Sequence, residues 1–455
     1  MKVLKFGGTS IGDATNIRRV CEIVASRASD PTVLVFSAMG STTDRLVEIG
    51  ELAAVGNTND SLKRVSDLQD HHRELVSELF TGEAARGSLL ETISPMFDRL
   101  REMARSVAVL ADLSPSVNAR ILGFGELLST RVLAAFLGES GLRVEWADAR
   151  ELVVTDENHL DAEPSFAETN DRVRARLRPL LDSGICPVTQ GFIARSPQGT
   201  DTTLGRGGSD FTASLLGAAL QVQEIEIWTD VDGVLTADPS LVDQARRIPV
   251  MSFQEAAELA FFGARVLHPK TLVPAVEAGI PVRVLNTLRP DGDGTVIVAE
   301  PEANGQPVKS IAYKEGMALI NLTSARMFGT RDFLRRIFGV FERYGISPHV
   351  VATSEVSVAV ALWDPSPLPQ LTEELRSYGK VAVKPHQAVV CVVGERLKQT
   401  PGIVSQVFEA LTDVKTSLVS LGGSEINLGF VVDEDELPKV IRRLHRRFFE
   451  DETSA

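Results

Sequence analysis

The residues best suited to chemistry lie in three short clusters. Lys5 lies near the end of an apolar run over residues 3–6 that is followed by Gly7-Gly8-Thr9-Ser10, after which residues 16–25 read as a helix. Glycines let a backbone approach phosphates closely, and amides at a helix start attract anions. A lysine there would set a fixed cation on a transferring phosphoryl group, although a strand ending in Gly-Gly is weak evidence alone. The second cluster, Thr202-Thr203-Leu204-Gly205-Arg206-Gly207-Gly208-Ser209-Asp210, precedes an Ala/Leu-rich helix over 211–220. Three glycines interleaved with Arg and Asp form an anion-binding loop whose guanidinium can grip a carboxylate with two parallel hydrogen bonds. A plain turn would not need Arg206. The third cluster, Thr229-Asp230-Val231-Asp232-Gly233, breaks a buried strand and reads equally as a simple Asp-Gly turn. No Gly-x-x-x-x-Gly-Lys-Ser/Thr loop occurs, and Gly123-Phe124-Gly125 lacks the third glycine of a dinucleotide fingerprint.

These clusters need a frame. Up to about residue 298, short apolar runs (3–6, 32–37, 143–146, Cys186–Gln190, 224–228, 282–285) alternate with amphipathic stretches. That pattern predicts an α/β domain with a mainly parallel sheet, helices on both faces and ligands at the carboxyl ends of the strands. Residues 61–110 read as paired helices, with His71 and His72 on a solvated polar stretch rather than in a metal site.

The polar, breaker-rich segment 299–307 predicts a domain boundary. Beyond it, Phe333, Leu334, Ile337, Phe338 and Phe341 recur 70 positions later as Ile403, Val404, Val407, Phe408 and Leu411, at the spacing of a helix's apolar face. Ser354-Glu355 recurs at the same offset as Ser424-Glu425, each pair followed by an apolar strand. Two similar α/β modules are expected, serving to bind a zwitterion or to mediate dimerisation.

At 455 residues the chain exceeds what one hydrophobic core supports. Its net charge of −14 argues against general nucleic-acid binding. Cys21, Cys186 and Cys391 have neither pairing nor ligand spacing, which suits a reduced, cytoplasmic setting; no signal peptide or membrane span is expected. The default partner is a small molecule or another protein.

Together, Lys5-Phe6-Gly7-Gly8-Thr9-Ser10, Gly125-Glu126-Leu127-Leu128-Ser129, Thr189-Gln190-Gly191-Phe192, Thr203 to Asp210 and Trp228 to Gly233 resemble, in order, the motifs of the aspartate kinases. The doubled carboxyl-terminal module resembles their paired ACT domains. The resemblance implies an amino-acid-kinase fold over 1–298 with a mainly parallel central sheet, then two ferredoxin-like βαββαβ ACT units over 309–385 and 386–455, units able to interleave. It implies transfer of phosphate from ATP, with Mg²⁺ carried on the nucleotide phosphates, to L-aspartate. That reaction opens the route to lysine, threonine and methionine. A homodimer or dimer of dimers through the ACT units is implied too.

Carried over residue by residue, the resemblance gives Lys5 the ATP phosphates and the transition-state charge, with Asp210 orienting it. Arg206 and Ser209, with Gly207 and Gly208, would hold the aspartate α-carboxylate. Glu126 would pair with its ammonium, while Thr43 and Phe192 would line the site. Gly7, Gly8, Thr229, Asp230, Arg265 and Val266 would contact the nucleotide. So would Leu235, where relatives often carry an aromatic residue, and Ser240, where they often carry Arg; both changes predict weaker ATP contacts. The other enzyme reading is a kinase acting on glutamate; a reading from another class is an amino-acid sensor retaining the kinase shell.

For the effector, the lysine-sensitive type implies Met327, Thr330, Phe333 and Leu334 at the helix start of the first ACT unit. Ser347, Pro348 and His349 on the incoming strand and Ser354 and Glu355 beyond it complete the set. Val351 to Ser357 resembles the lysine-sensitive type, so lysine is the first effector expected and threonine the second; against lysine, His349 stands where that type places Asp, and Gly329 replaces another polar residue.

Overall fold

The computed structural model describes residues 1–27, 30–263, 268–301, 307–325, 332–363, 367–395 and 397–450. The chain forms two compact units, Met1–Gly233 with Leu267–Ala299, and Val234–Val266 with Glu300–Ala455.

In the first unit the strands are β1 (Lys2–Phe6), β2 (Thr32–Phe36), β3 (Val144–Ala147), β4 (Cys186–Gln190), the short β5 (Ile193–Arg195) and β6 (Asp201–Thr203), and β7 (Glu224–Thr229). After β8 (Val250–Ser252), which belongs to the second unit, come β9 (Val282–Asn286) and β10 (Thr295–Val298). The sheet runs β3-β4-β2-β1-β7-β9-β10, parallel except for β10. Side chains alternate along a strand. Leu4 and Phe6 therefore enter one core, where the Phe6 ring stacks on Phe36 at 5.3 Å and on Trp228 at 5.9 Å. The intervening Lys5 emerges on the opposite face.

The helix pair read over 61–110 is present as Thr58–Leu79 and Glu83–Leu110. The solvated His pair is corrected: His72 is fully buried, its Nδ1 lies 2.9 Å from the Leu68 carbonyl, and its ring packs edge-on against Phe97. Burial drops its pKa to about 4, so it acts as a core residue. The helix Pro115–Glu139 is long and apolar enough to cross a membrane by length and composition, but most of its apolar stretch is buried and joins the same core.

The expected first domain, 1–298, is interrupted, because Val234–Val266 belongs to the second unit. Ala237 and Val242 share an apolar core with Val390, Val407, Phe430 and Ile441. The Tyr313 hydroxyl donates to Asp238 at 2.9 Å, and Thr236 meets the buried His445 Nε2 at 2.9 Å.

The remaining strands of this unit are β11 (Ser310–Thr323), β12 (Val350–Thr353), β13 (Ser357–Trp363), β14 (Lys380–Val393), β15 (Thr416–Leu421) and β16 (Asn427–Asp433). They form one antiparallel sheet in the order β12-β13-β11-β14-β16-β15. The long strands β11 and β14 each serve two cores. Ile311, Val390 and Val392 pack under the helices Ile403–Glu409 and Leu437–His445, whereas Ile320 and Leu322 pack under Phe333–Arg343 and Leu368–Arg376. Thus the segment preceding the first module completes the second.

Candidate functional site

The carboxyl ends of β1, β2, β4 and β7 converge, as a parallel sheet requires. Lys5 Nζ lies 2.6 Å from Asp210 Oδ1, with both side chains largely buried. Asp210 sits in the first turn of the helix Gly208–Leu220, where a carboxylate is favoured by the exposed amides. The helix is launched by Gly205 and Gly207, both at φ +72°, a conformation open to glycine at little cost. Arg206 between them is exposed, and His268 is close enough to feel it: burial first, then Arg206, lowers that imidazole's pKa.

Two close approaches fix this helix. A Cβ on Gly191 would stand 2.4 Å from Ser209 Cβ, and one on Gly208 would stand 2.8 Å from the Phe192 ring. Phe192 itself is held at φ +68°, with its amide donating to Thr212 Oγ1 at 3.1 Å and its carbonyl accepting from Leu204. A bulky residue in that region stores strain and persists only where its surroundings fix it. Gly191→Ala would push the Asp210-bearing turn away from Lys5. It is expected to lower kcat by about 10²-fold and stability by about 1–3 kcal/mol, measured by initial rates and thermal unfolding.

Glu126 is 3% exposed. Its Oε1 accepts from the Ala38 amide at 3.1 Å, while its buried Oε2 has no hydrogen-bond partner. Burial pushes its pKa up to about 8, only partly countered by the Ala38 amide. The position is built: Gly125 faces Ala38 where a Cβ would come within 2.7 Å, Ser129 Oγ donates to the Ser37 carbonyl at 2.7 Å, and Gln190 Nε2 donates to Thr130 Oγ1 at 2.7 Å. Such a carboxylate is suited to a cation arriving from outside. Thr43 is half-buried at the start of the helix Thr42–Ala54.

On the glycine loop, a Cβ on Gly8 would lie 2.7 Å from the Ala38 carbonyl, and Gly40 N donates to Gly8 O at 3.0 Å. Gly7 N donates to the Trp228 carbonyl at 3.1 Å, joining the loop to β7, where Thr229 Oγ1 donates to Asp230 at 3.2 Å. Sequence reasoning gave no roles to Ser129, Thr130 and Gln190; their only signal was adjacency to Glu126 and Gly191. Leu235 and Ser240 lie in the second unit. The Leu235 carbonyl accepts from Ser310 Oγ at 2.8 Å, and Ser240 caps Asp238 through its amide at 2.8 Å and hydroxyl at 2.6 Å. Arg265 and Val266 fall outside the described residues, as do Met327, Thr330 and Gly329.

The remaining effector residues lie at the start of the helix Phe333–Arg343 and at the two ends of β12. Phe333 is in the apolar core, whereas Leu334 is exposed. Ser347, Pro348 and His349 precede β12, and Ser354 and Glu355 follow it. Ser354 pairs with Ser357, Oγ to Oγ at 2.7 Å, and Glu355 is exposed. His349 is already engaged. Lys314 Nζ lies 3.0 Å from its Nε2 and 4.2 Å from the Trp363 ring centroid, and Phe261 packs on the imidazole at 5.4 Å. Burial, then Lys314, lowers its pKa. As Lys314 donates to Nε2, Nδ1 carries the proton toward the Ser347 carbonyl, 3.2 Å away.

A lysine–aspartate pair at the end of a parallel strand, glycine loops on either side and a buried carboxylate beside them define an amino acid kinase. The amino acid kinase family model matches residues 1–286, and an ACT domain model matches 390–448. Aspartokinase 3, chloroplastic, of Arabidopsis thaliana is 35% identical over 99% of this chain and 82% of its own length; lysine-sensitive aspartokinase 3 of Escherichia coli is 34% identical over 98% and 99%. The crystal structure of E. coli aspartokinase III with aspartate and ADP superposes with a TM-score of 0.84 at 34% identity, covering 99% of this chain and all of that one; the same enzyme with lysine and aspartate also gives 0.84. The chain belongs to the aspartokinase family.

Proposed function

We propose that this chain catalyses ATP + L-aspartate → ADP + 4-phospho-L-aspartate at the site formed by Lys5, Glu126, Arg206, Ser209 and Asp210. The observation that carries it is the orphaned Oε2 of Glu126, a buried carboxyl group without a cation, in the same unit as the glycine loop that exposes Arg206. A free α-amino acid answers both groups, its ammonium at Glu126 and its α-carboxylate at Arg206 and Ser209.

The nucleophile, a side-chain carboxylate with a reference pKa of about 3.9, is ionised at neutral pH and needs no base. One of its oxygens bonds to the γ-phosphorus as the bond to the ADP oxygen breaks. Lys5, steadied by Asp210, neutralises charge on the moving phosphoryl group. Mg²⁺ carried on the nucleotide phosphates would supply further charge neutralisation beside Lys5. The Gly7–Gly8 loop, Thr229 and Asp230 would receive the nucleotide. Trapping with hydroxylamine tests the chemistry: ATP-dependent aspartyl hydroxamate is expected, and its absence from folded enzyme would overturn the reading.

The ACT units, 309–385 and 386–455 with exchanged strands, would bind lysine as feedback effector and join chains into a homodimer or dimer of dimers. A cytoplasmic location fits three free cysteines. Because His349 replaces a carboxylate and already meets Lys314, lysine inhibition is expected about 10- to 100-fold weaker than with an Asp there. Initial rates of wild type and His349→Asp against lysine and threonine check this; equal sensitivity of the two proteins would contradict it.

A further inference from the structure

Ser10 and Thr287 take no part in the roles assigned so far, yet both hydroxyls are buried where three strand ends meet. Ser10 is 3% exposed and Thr287 is 1% exposed. Their oxygens lie 2.7 Å apart. Ser10 Oγ also donates to the Trp228 carbonyl at 3.4 Å, so the proton of the shorter contact belongs to Thr287. The same carbonyl accepts from Gly7 N at 3.1 Å, and Thr287 N donates to the Thr229 carbonyl at 2.8 Å.

The result is a closed circuit. It runs from the Gly7–Gly8 loop to the last residues of β7 through Trp228, on to Thr287 after β9, and back to the loop through Ser10. Within the loop, Ser10 N returns to Gly7 O at 3.1 Å and Ile11 N to Gly8 O at 3.2 Å, which leaves the amides of Gly8 and Thr9 without a backbone acceptor among the described residues. A loop whose free amides must meet phosphate oxygens works only if it is held still, and the hydroxyl pair is what holds its far end.

We infer that Ser10 and Thr287 are positioning residues for the phosphate end of the nucleotide, fixing the Gly7–Gly8 loop against the Thr229–Asp230 turn. This deepens the kinase reading and rests on it. They touch no reacting atom; their effect passes through backbone amides, so it falls on nucleotide binding and spares aspartate binding. Ser10→Ala and Thr287→Val each break the circuit at one point, and Thr287→Ser keeps the hydroxyl.

Steady-state rates with MgATP and aspartate varied in turn, together with calorimetric titration of the full chain by MgADP, provide the test. Each single variant is expected to raise KM for ATP and weaken MgADP about fivefold to tenfold, with KM for aspartate and Tm little changed. Ser10→Ala/Thr287→Val should be no worse than either single change, since one circuit cannot be opened twice, and Thr287→Ser should restore binding. Unchanged KM for ATP, multiplying effects in the double variant, or both KM values rising together with a lowered Tm would each overturn the inference. Wild-type protein that fails to bind MgADP would overturn the nucleotide reading beneath it, and a wild type that binds MgADP but turns over no aspartate would overturn the reaction while leaving the binding effects of the variants to be read.

Discussion

Lys5→Ala is expected to lower kcat by about 10³- to 10⁵-fold, the range typical of a single cation lost from a phosphoryl-transfer site. The ion pair at 2.6 Å explains why the effect should be so large. Asp210 holds the ammonium at the end of β1, so its charge is in place before the phosphoryl group moves and no reorganisation is required at that moment. Asp210→Asn should keep the cation but loosen its aim, with a loss of about 10- to 10²-fold. Lys5→Ala leaves the Asp210 carboxylate largely buried without its partner, so Tm should fall by several degrees while the circular dichroism stays native. A variant with near wild-type kcat would remove Lys5 from the mechanism.

Glu126→Gln should separate stability from function. The carboxyl has a folded-state pKa of about 8 against an ordinary 4.5, with burial as the main cause. Between those values the folded chain keeps a proton that the unfolded chain has released. The stability cost of Glu126 is therefore absent below about pH 4.5, grows as pH rises, and is complete above about pH 8. The amide substitution removes it, and at pH 8 the apo protein should gain on the order of 2–5 kcal/mol, read as a raised Tm. Aspartate binding should move the other way, with KM rising about 10²-fold or more as the ammonium loses its partner. In the wild type, kcat/KM for aspartate should climb as pH approaches 8 and then level, because the ammonium binds the ionised carboxylate. Thermal unfolding and initial rates from pH 6 to 9 check both limbs; a Glu126→Gln protein less stable than wild type at pH 8 would contradict the burial argument.

Much of this was written in the sequence for physical reasons. Every apolar run read in the amino-terminal part became a strand, because buried parallel strands have no polar face to obscure them. Lys5, Arg206 and Asp210 were visible since glycine-rich loops bearing charge have few structural uses. What stayed hidden depended on contacts distant in sequence. Nothing local marks Ala237 and Val242 as belonging to the carboxyl-terminal core. The split of β11 between two cores follows from pairing with β14 some 70 residues away, which periodicity cannot register. His72 looked solvated because its neighbours are polar, and only the packing of Phe97 reveals the buried face. The engagement of His349 by Lys314 is likewise tertiary. Glu126 was legible only through the resemblance carried by Gly125 to Ser129; its orphaned oxygen belongs to the fold.

The most direct measurement is ADP release, coupled to an indicator reaction, with L-aspartate and with L-glutamate as acceptor. In the proposed site Glu126 and Arg206 would hold the α-amino and α-carboxyl groups, and the Lys5–Asp210 pair would fix where the reactive carboxylate must reach. Saturable, Mg²⁺-dependent turnover of aspartate, with glutamate at least 10²-fold poorer in kcat/KM, is the predicted result. Equal use of both acids, or no turnover of either by folded protein, would contradict the account.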